Sequence, residues 1–280
     1  MNTPVETLIN LQTVAVGKAT AKIRKLVILG FMAGMFIAFA GVASTIASMN
    51  LLANPETFGL GKLVSGLVFT AGLIMVVIGG AELFTGNSLM LTGLLAHKIT
   101  LAQLLRNWLI VYLANFLGGF FVAGMIGLAG SFAMNGGLFG VTASNIALTK
   151  INLGFGQAFV LGLLCNLLVC LAVWLAASAK SVPGKILAII FPIATFIICG
   201  FEHSIANMYY IPAGFFASGN YFWAEMLGNL VPVTLGNIVG GGLFVATAYH
   251  FALNDGKISL CKKSQPTKKS SPKKKSTKQK

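Results

Sequence analysis

The strongest constraint on this chain is a stretch without charge: residues 26–53 contain no Asp, Glu, Lys or Arg. Roughly 20 apolar residues of helix cross the hydrocarbon core of a bilayer, so this stretch alone is long enough to span. Further uncharged runs cover 63–81, 83–97, 107–149, 151–179, 186–201, 203–224 and 226–254. The composition agrees, with 56% hydrophobic and 9% charged residues and a mean hydropathy of +0.84, which leaves too little polar surface for a water-soluble globule. The expected class is an all-α integral membrane protein.

Two of these runs, ending at Ala81 and Phe201, meet a single Glu and resume on its far side. The corresponding spans read as interrupted rather than ended. Unwound backbone at membrane depth leaves N–H and C=O groups without helical partners, and it is tolerated only where protein or a water-filled cavity satisfies them. Breaks of this kind mark pathways.

Charge placement sets the orientation. The basic residues gather at Lys18, Lys22, Arg24 and Lys25, at Lys98 and Arg106, at Lys180 and Lys185, and along 257–280, leaving Lys62 and Lys150 for the opposite side. That asymmetry predicts cytoplasmic N- and C-termini and an even number of spans, with the cell membrane (a cell inner membrane where there are two) as the location. The first 25 residues lack the form of a cleaved signal peptide. Val5, Leu8, Ile9, Leu11, Val14 and Val16 instead suit an amphipathic interfacial helix within 1–25. The Lys/Ser/Pro-rich segment 254–280 reads as a disordered cytoplasmic tail attracted to anionic lipid. It has no interleaved aromatics, so no specific nucleic acid is expected. Cys165, Cys170, Cys199 and Cys261 show no ligand-like spacing, and neither a metal site nor a cofactor is implied.

The chain repeats itself. Gly80-Ala-Glu82-Leu-Phe-Thr85-Gly86-Asn87 and Gly200-Phe201-Glu202-His203-Ser204-Ile-Ala-Asn207 share the pattern G-x-E-x4-N at the two breaks. Downstream, Asn107 and Asn115-Phe-Leu-Gly118-Gly119 match Asn229 and Asn237-Ile-Val-Gly240-Gly241. Upstream, Phe31-Met-Ala-Gly34 pairs with Phe159-Val-Leu-Gly162. Each half is three spans with the middle one broken, and an odd number of crossings inverts the second half. The expected spans are about 26–50, 61–95, 106–132, 154–178, 186–216 and 226–252 within a channel domain 26–253. The second and fifth are the broken ones.

The residues at the breaks suit a small hydrogen-bonding anion. Thr85 offers a hydroxyl, Asn87 and Asn207 offer amides, and His203 offers an imidazole that donates a hydrogen bond when neutral and is a counter-charge when protonated. Bare carboxylates would repel such cargo, so Glu82 and Glu202 are expected to accept backbone N–H bonds and lock the loops. Lys150 could gather anions at an outer mouth. Phe69, Leu73, Phe84 and Phe196 flank the breaks and could form apolar constrictions.

Gly-Ala-Glu-Leu-Phe-Thr at 80–85, Arg-Asn-Trp at 106–108, Asn-Leu-Leu-Val-Cys-Leu-Ala-Val-Trp at 166–174 and Gly-Phe-Glu-His-Ser-Ile-Ala-Asn-Met at 200–208 resemble the formate/nitrite transporter family. The resemblance implies an aquaporin-like six-span fold, a homopentamer with one pore per protomer, and small monovalent anions as cargo. It implies Thr85 and His203 as the central polar pair, Phe69, Leu73, Leu83, Phe84 and Phe196 as constrictions, and Lys150, Glu202, Asn166 and Asn207 as supports of selectivity. It also links the N-terminal helix to gating. Formate is the leading cargo, with protons as a coupled partner through His203; nitrite and hydrosulfide are the alternatives within the family. A membrane-embedded enzyme would need a catalytic cluster, and the spans hold no HExxH, no GxSxG and no metal-spaced trio.

Overall fold

A computed structural model describes residues 1–254, so the expected tail lies outside the described residues. The chain is all-helical: α1 Pro4–Ala19, α2 Ile23–Ala53, α3 Phe58–Gly79, α4 Leu91–Leu95, α5 Leu101–Leu128, α6 Leu138–Ile151, α7 Phe155–Ser178, α8 Val182–Ile198, α9 Ser204–Ser218, α10 Trp223–Ile238 and α11 Ala248–Asn254. Among the described residues, five helical stretches are long and apolar enough to cross a membrane: Ile23–Ala53, Pro55–Gly79, Leu101–Leu128, Phe155–Ser178 and Trp223–Asn254. The protein is multi-pass. The expected span at 186–216 is divided between α8 and α9, of 17 and 15 residues, each short of a full crossing.

Small residues set the distances between helices. A Cβ on Gly34 would overlap the backbone of Asn115 in α5, and one on Gly118 would overlap the Phe31 carbonyl of α2. On the other side of the molecule, Gly236 and Gly240 lie as tightly against the Phe159 and Leu163 carbonyls of α7. Without a hydrophobic drive between lipid-bathed helices, such backbone contact is what holds them together. Beyond α10 the helix widens to π geometry over Val239–Thr247, which brings Gly241 against the side chains of Asn166, Cys170 and Ser88.

Three features differ from the sequence expectation. The connection after α5 is not a bare loop, because α6 forms there and packs on α9 through Ala143 and Ala147 at Gly214. Its 14 residues are too few for a span, and its buried positions Phe139, Ala143 and Ala147 recur every four residues. The N-terminal helix forms with a Thr3–Glu6 capping box: the Thr3 N–H donates to the Glu6 carboxylate at 2.7 Å and holds it below the usual carboxylate range. It turns Leu8 and Leu11 onto Leu89, Trp174 and Val245, and Ala15 and Ala19 onto Met90, Ile99 and Leu104. Its apolar stripe is thus occupied by protein, and Val5 and Val14 are exposed. Finally, the upstream repeat is displaced by one helical turn. The Leu29 and Leu161 carbonyls accept the Glu82 and Glu202 N–H groups, which equates Gly30, not Gly34, with Gly162; F-x-x-G is too common in apolar helices to fix register.

Candidate functional site

α3 is followed by Gly80 with φ of 72°, and α8, after Cys199, by Gly200 with φ of 71°, left-handed conformations that glycine adopts without a Cβ clash. Past each glycine the chain runs without helix for a few residues, then resumes as a 3-10 turn at Gly86–Met90 and as α9. The unwound groups find side-chain partners. Asn115 accepts the Phe84 N–H at 2.9 Å and donates to the Gly30 and Glu82 carbonyls at 2.7 and 2.9 Å. Asn237 does the same for the second bend, accepting the Ser204 N–H at 2.9 Å and donating to the Gly162 and Glu202 carbonyls at 2.7 and 3.0 Å.

These asparagines lock the bends, and the glutamates do something else. Both carboxylates are nearly fully buried, and at that depth an ionised carboxylate needs an ammonium rather than backbone donors alone. Glu82 takes Lys18 at 2.7 Å and the Asn87 amide at 2.9 Å. Glu202 takes Lys150 at 2.8 Å and the Asn207 amide. Each network ends alike: Asn87 donates to Asn107 and Asn207 to Asn229, both at 2.8 Å, and these two donate to the Lys18 and Lys150 carbonyls. Lys18 was not singled out by sequence. The signal that could have found it is the repeat itself, since α1 brings to the first bend what α6 brings to the second. One difference remains: Lys18 also donates to Asn87 Oδ1 at 2.8 Å, whereas Asn207 Oδ1 is buried without a partner among the described residues.

The bends meet at one contact. The Ala206 N–H donates to His203 Nδ1 at 3.0 Å, capping α9, so the neutral ring carries its proton on Nε2 and donates it to Thr85 Oγ1 at 2.9 Å. Both residues are buried. The Thr85 carbonyl is held by Asn166 at 3.2 Å and by the Cys170 thiol at 3.3 Å, and Asn166 also donates to the Asn237 carbonyl at 2.6 Å, tying the first bend to the clamp of the second.

Around His203 lies a chamber of about 10 Å³, lined by Ile37, Phe69, Leu73, Leu83, Val169, Ile193 and Phe196, the scale of a single water. Phe196 stacks on the imidazole at 5.9 Å and meets Phe69 edge-on at 5.7 Å. Leu73 and Leu83 also border a cavity of about 580 Å³, so they are the partition between the two spaces. The large cavity is bounded by Asn10, Val14 and Lys18 of α1, by Gly80 and Glu82 of the first bend, and by Lys25 and Lys185. Phe84 borders neither space; it packs against Tyr112 and Trp108, with ring centroids 4.9 and 6.0 Å apart. Lys150 sits at the end of α6, 5.5 Å from the centre of the Tyr210 ring.

An all-helical, multi-pass protein with two interrupted helices meeting at a polar pair has the architecture of a membrane transport protein. The chain belongs to the formate/nitrite transporter family, whose model matches residues 5–251. It is 40% identical over 262 residues to a formate channel FocA of Haemophilus influenzae, covering 87% of this chain and 92% of that one. It is 38% identical over 251 residues to a formate channel FocA of Escherichia coli strain K12, covering 83% and 87%. Among solved structures, a pentameric formate channel with formate bound matches with a TM-score of 0.72 at 37% identity, over 82% of this chain and 97% of that chain.

Proposed function

We propose that this chain carries formate, a small monovalent anion, through the cell membrane, and that Thr85 and His203 are the polar pair the anion passes. The observation that carries this reading is the hydrogen bond between Thr85 Oγ1 and His203 Nε2, which joins the two bends beside the apolar chamber that His203 lines. The kinship with formate channels supports the choice of cargo over nitrite or hydrosulfide. The architecture that goes with it is an aquaporin-like bundle of six spans in two inverted halves, with α8 and α9 together forming the fifth span. Both termini lie in the cytoplasm, and the assembly is a homopentamer with a pore in each protomer. Residues 26–253 form the channel and 1–25 the helix that covers the inner mouth.

In this reading Leu73 and Leu83 on one side, and Phe69 and Phe196 on the other, strip water from the anion, and Phe84 stiffens the slit from behind. At the midplane the His203 Nε2–H and the Thr85 hydroxyl replace lost hydration, which is worth more in a dry site than in water. Asn166 holds Thr85 in place, while Glu202 and Asn207 hold Lys150 at the outer mouth. Passing a proton to the anion requires a second proton on His203, and that proton must sit on Nδ1, displacing the Ala206 N–H and removing a helix cap worth about 1 kcal/mol. Hydrogen bonding therefore comes first and protonation second.

The test is uptake into proteoliposomes of formate, nitrite and hydrosulfide from about pH 5 to about pH 8, with wild type and His203→Ala side by side. Formate should enter fastest, and the substitution should lower its flux and flatten its pH dependence. Absence of anion flux in the wild type would sink the reading, and indifference to the substitution would make His203 a cap and nothing more.

A further inference from the structure

Two lysines come to the bends already paired: Lys18 with Glu82 and Lys150 with Glu202. A lysine and a glutamate at 2.7 or 2.8 Å carry no net charge, and at a distance their field nearly cancels. A mouth that draws anions by its field needs a cation without a carboxylate beside it.

Lys62 is such a cation. It is half-buried on the first turns of α3, and no ion pair joins it among the described residues. Its ammonium donates to the Ile197 carbonyl at 3.4 Å, at the C-terminal end of α8, and a Cβ on Gly200 would stand 3.9 Å from it. An ammonium at a helix C-terminus is favourably placed against the dipole, but one long contact to a carbonyl leaves donors free.

The helix face on which Lys62 lies connects it to the pathway. Lys62, Phe69 and Val76 recur every seven residues, with Gly66 and Leu73 between them, so they form one stripe. Phe69 and Leu73 line the chamber beside His203, and Leu73 and Val76 line the large cavity. Lys62 stands two turns, about 10 Å, beyond Phe69 in the direction away from the large cavity. α3 and α8 run antiparallel, with Gly66 against the Ala194 carbonyl. The end of α3 and Lys185 of α8 thus border the large cavity, while Lys62 meets the end of α8 at the opposite mouth. Tyr210 links that mouth to the stripe, stacking on Phe69 at 6.4 Å with the Lys150 ammonium 5.5 Å from its ring centre. Lys62 is thus set from the start of α3 beside the bend that follows α8.

We propose that Lys62 is an anion-recruiting site at the Lys150 mouth, supplying there the net positive charge that the neutralised Lys150–Glu202 pair cannot. This rests on the reading of the chain as an anion channel. The ligand class is a small monovalent anion held by a free ammonium, in transit rather than stored.

The test compares wild type, Lys62→Gln and Lys62→Arg in proteoliposomes, with formate flux measured at limiting and saturating concentrations, in both gradient directions, at low and high ionic strength. Lys62→Gln should lower flux at limiting formate by about 3- to 10-fold in low salt, only for anions arriving at the Lys150 mouth. Saturating flux should hold, the deficit should shrink in high salt, and Lys62→Arg should restore most of the loss. A deficit that is the same at saturation and in high salt would make Lys62 a structural residue, and an unchanged Lys62→Gln would overturn the assignment; in both cases wild-type flux leaves the channel reading standing. No wild-type flux removes both.

Discussion

The bend at 80–87 and the bend at 200–207 are built on one frame and filled differently. Glycine at the start, glutamate two residues on and asparagine five beyond that are shared, and so are the clamping asparagine and the lysine brought by a short helix. Between glutamate and asparagine every equivalent pair differs: Leu83 against His203, Phe84 against Ser204, Thr85 against Ile205 and Gly86 against Ala206. The imidazole and the hydroxyl that meet at the centre therefore come from non-equivalent positions. A doubled scaffold has produced a single polar pair by leaving the other half apolar at each of those places. The frame answers a cost common to any unwound membrane segment, while the filling answers to one solute.

The largest effects should come from breaking the frame. Glu82→Ala and Glu202→Ala each strand a half-buried ammonium and an amide, at a cost of about 3–5 kcal/mol. The two halves should not suffer equally. Lys18 keeps its bond to Asn87 Oδ1, whereas Lys150 is left with the face of Tyr210 and an Asn207 whose Oδ1 already lacks a partner. Thermal unfolding of the purified protein in detergent should rank Glu202→Ala as the more damaging; the opposite order would contradict the networks as described. Next come Asn115→Ala and Asn237→Ala, each removing three hydrogen bonds from buried backbone, with about 2 kcal/mol or more lost. Here the two variants should agree closely, and a large gap between them would deny that the frame is common.

How much of this was legible in sequence follows the same division. The frame was, because Gly, Glu and Asn at one spacing seldom coincide by chance at two breaks in uncharged runs, and the long apolar helices Ile23–Ala53, Leu101–Leu128, Phe155–Ser178 and Trp223–Asn254 followed from charge alone. The partners of the frame were harder to see. Asn115 and Asn237 stood out as a repeat, but that they, and not the glutamates, hold the unwound backbone depends on helix packing that one chain cannot display. Lys18 was hidden because α1 reads as a surface helix until its apolar stripe is seen against Leu89 and Trp174. α6 was hidden because a short apolar helix and an uncharged loop look alike, and Lys150, which closes it, reads equally well as the residue before the next span. Phe84 resembles a pathway residue by position, and only the rings of Tyr112 and Trp108 show where its own ring lies.

The smallest effect on stability should be the most telling about the centre. Thr85→Val keeps the shape and removes the hydroxyl, leaving the His203 Nε2–H without its partner in a dry site, for about 1–2 kcal/mol. If the two bends were interchangeable, putting a hydroxyl at the equivalent place in the other bend would compensate. Ile205 is that place; it is wholly buried, in the core that also holds Phe84 and Val111, and it sits two residues from His203 on the same bend rather than across from it. Formate uptake should therefore fall in Thr85→Val and fall further, not recover, in Thr85→Val/Ile205→Thr, since the added hydroxyl is buried away from the imidazole. Recovery in the double variant would mean that the centre needs only a hydroxyl near its histidine, and that the asymmetry between the bends has no bearing on transport.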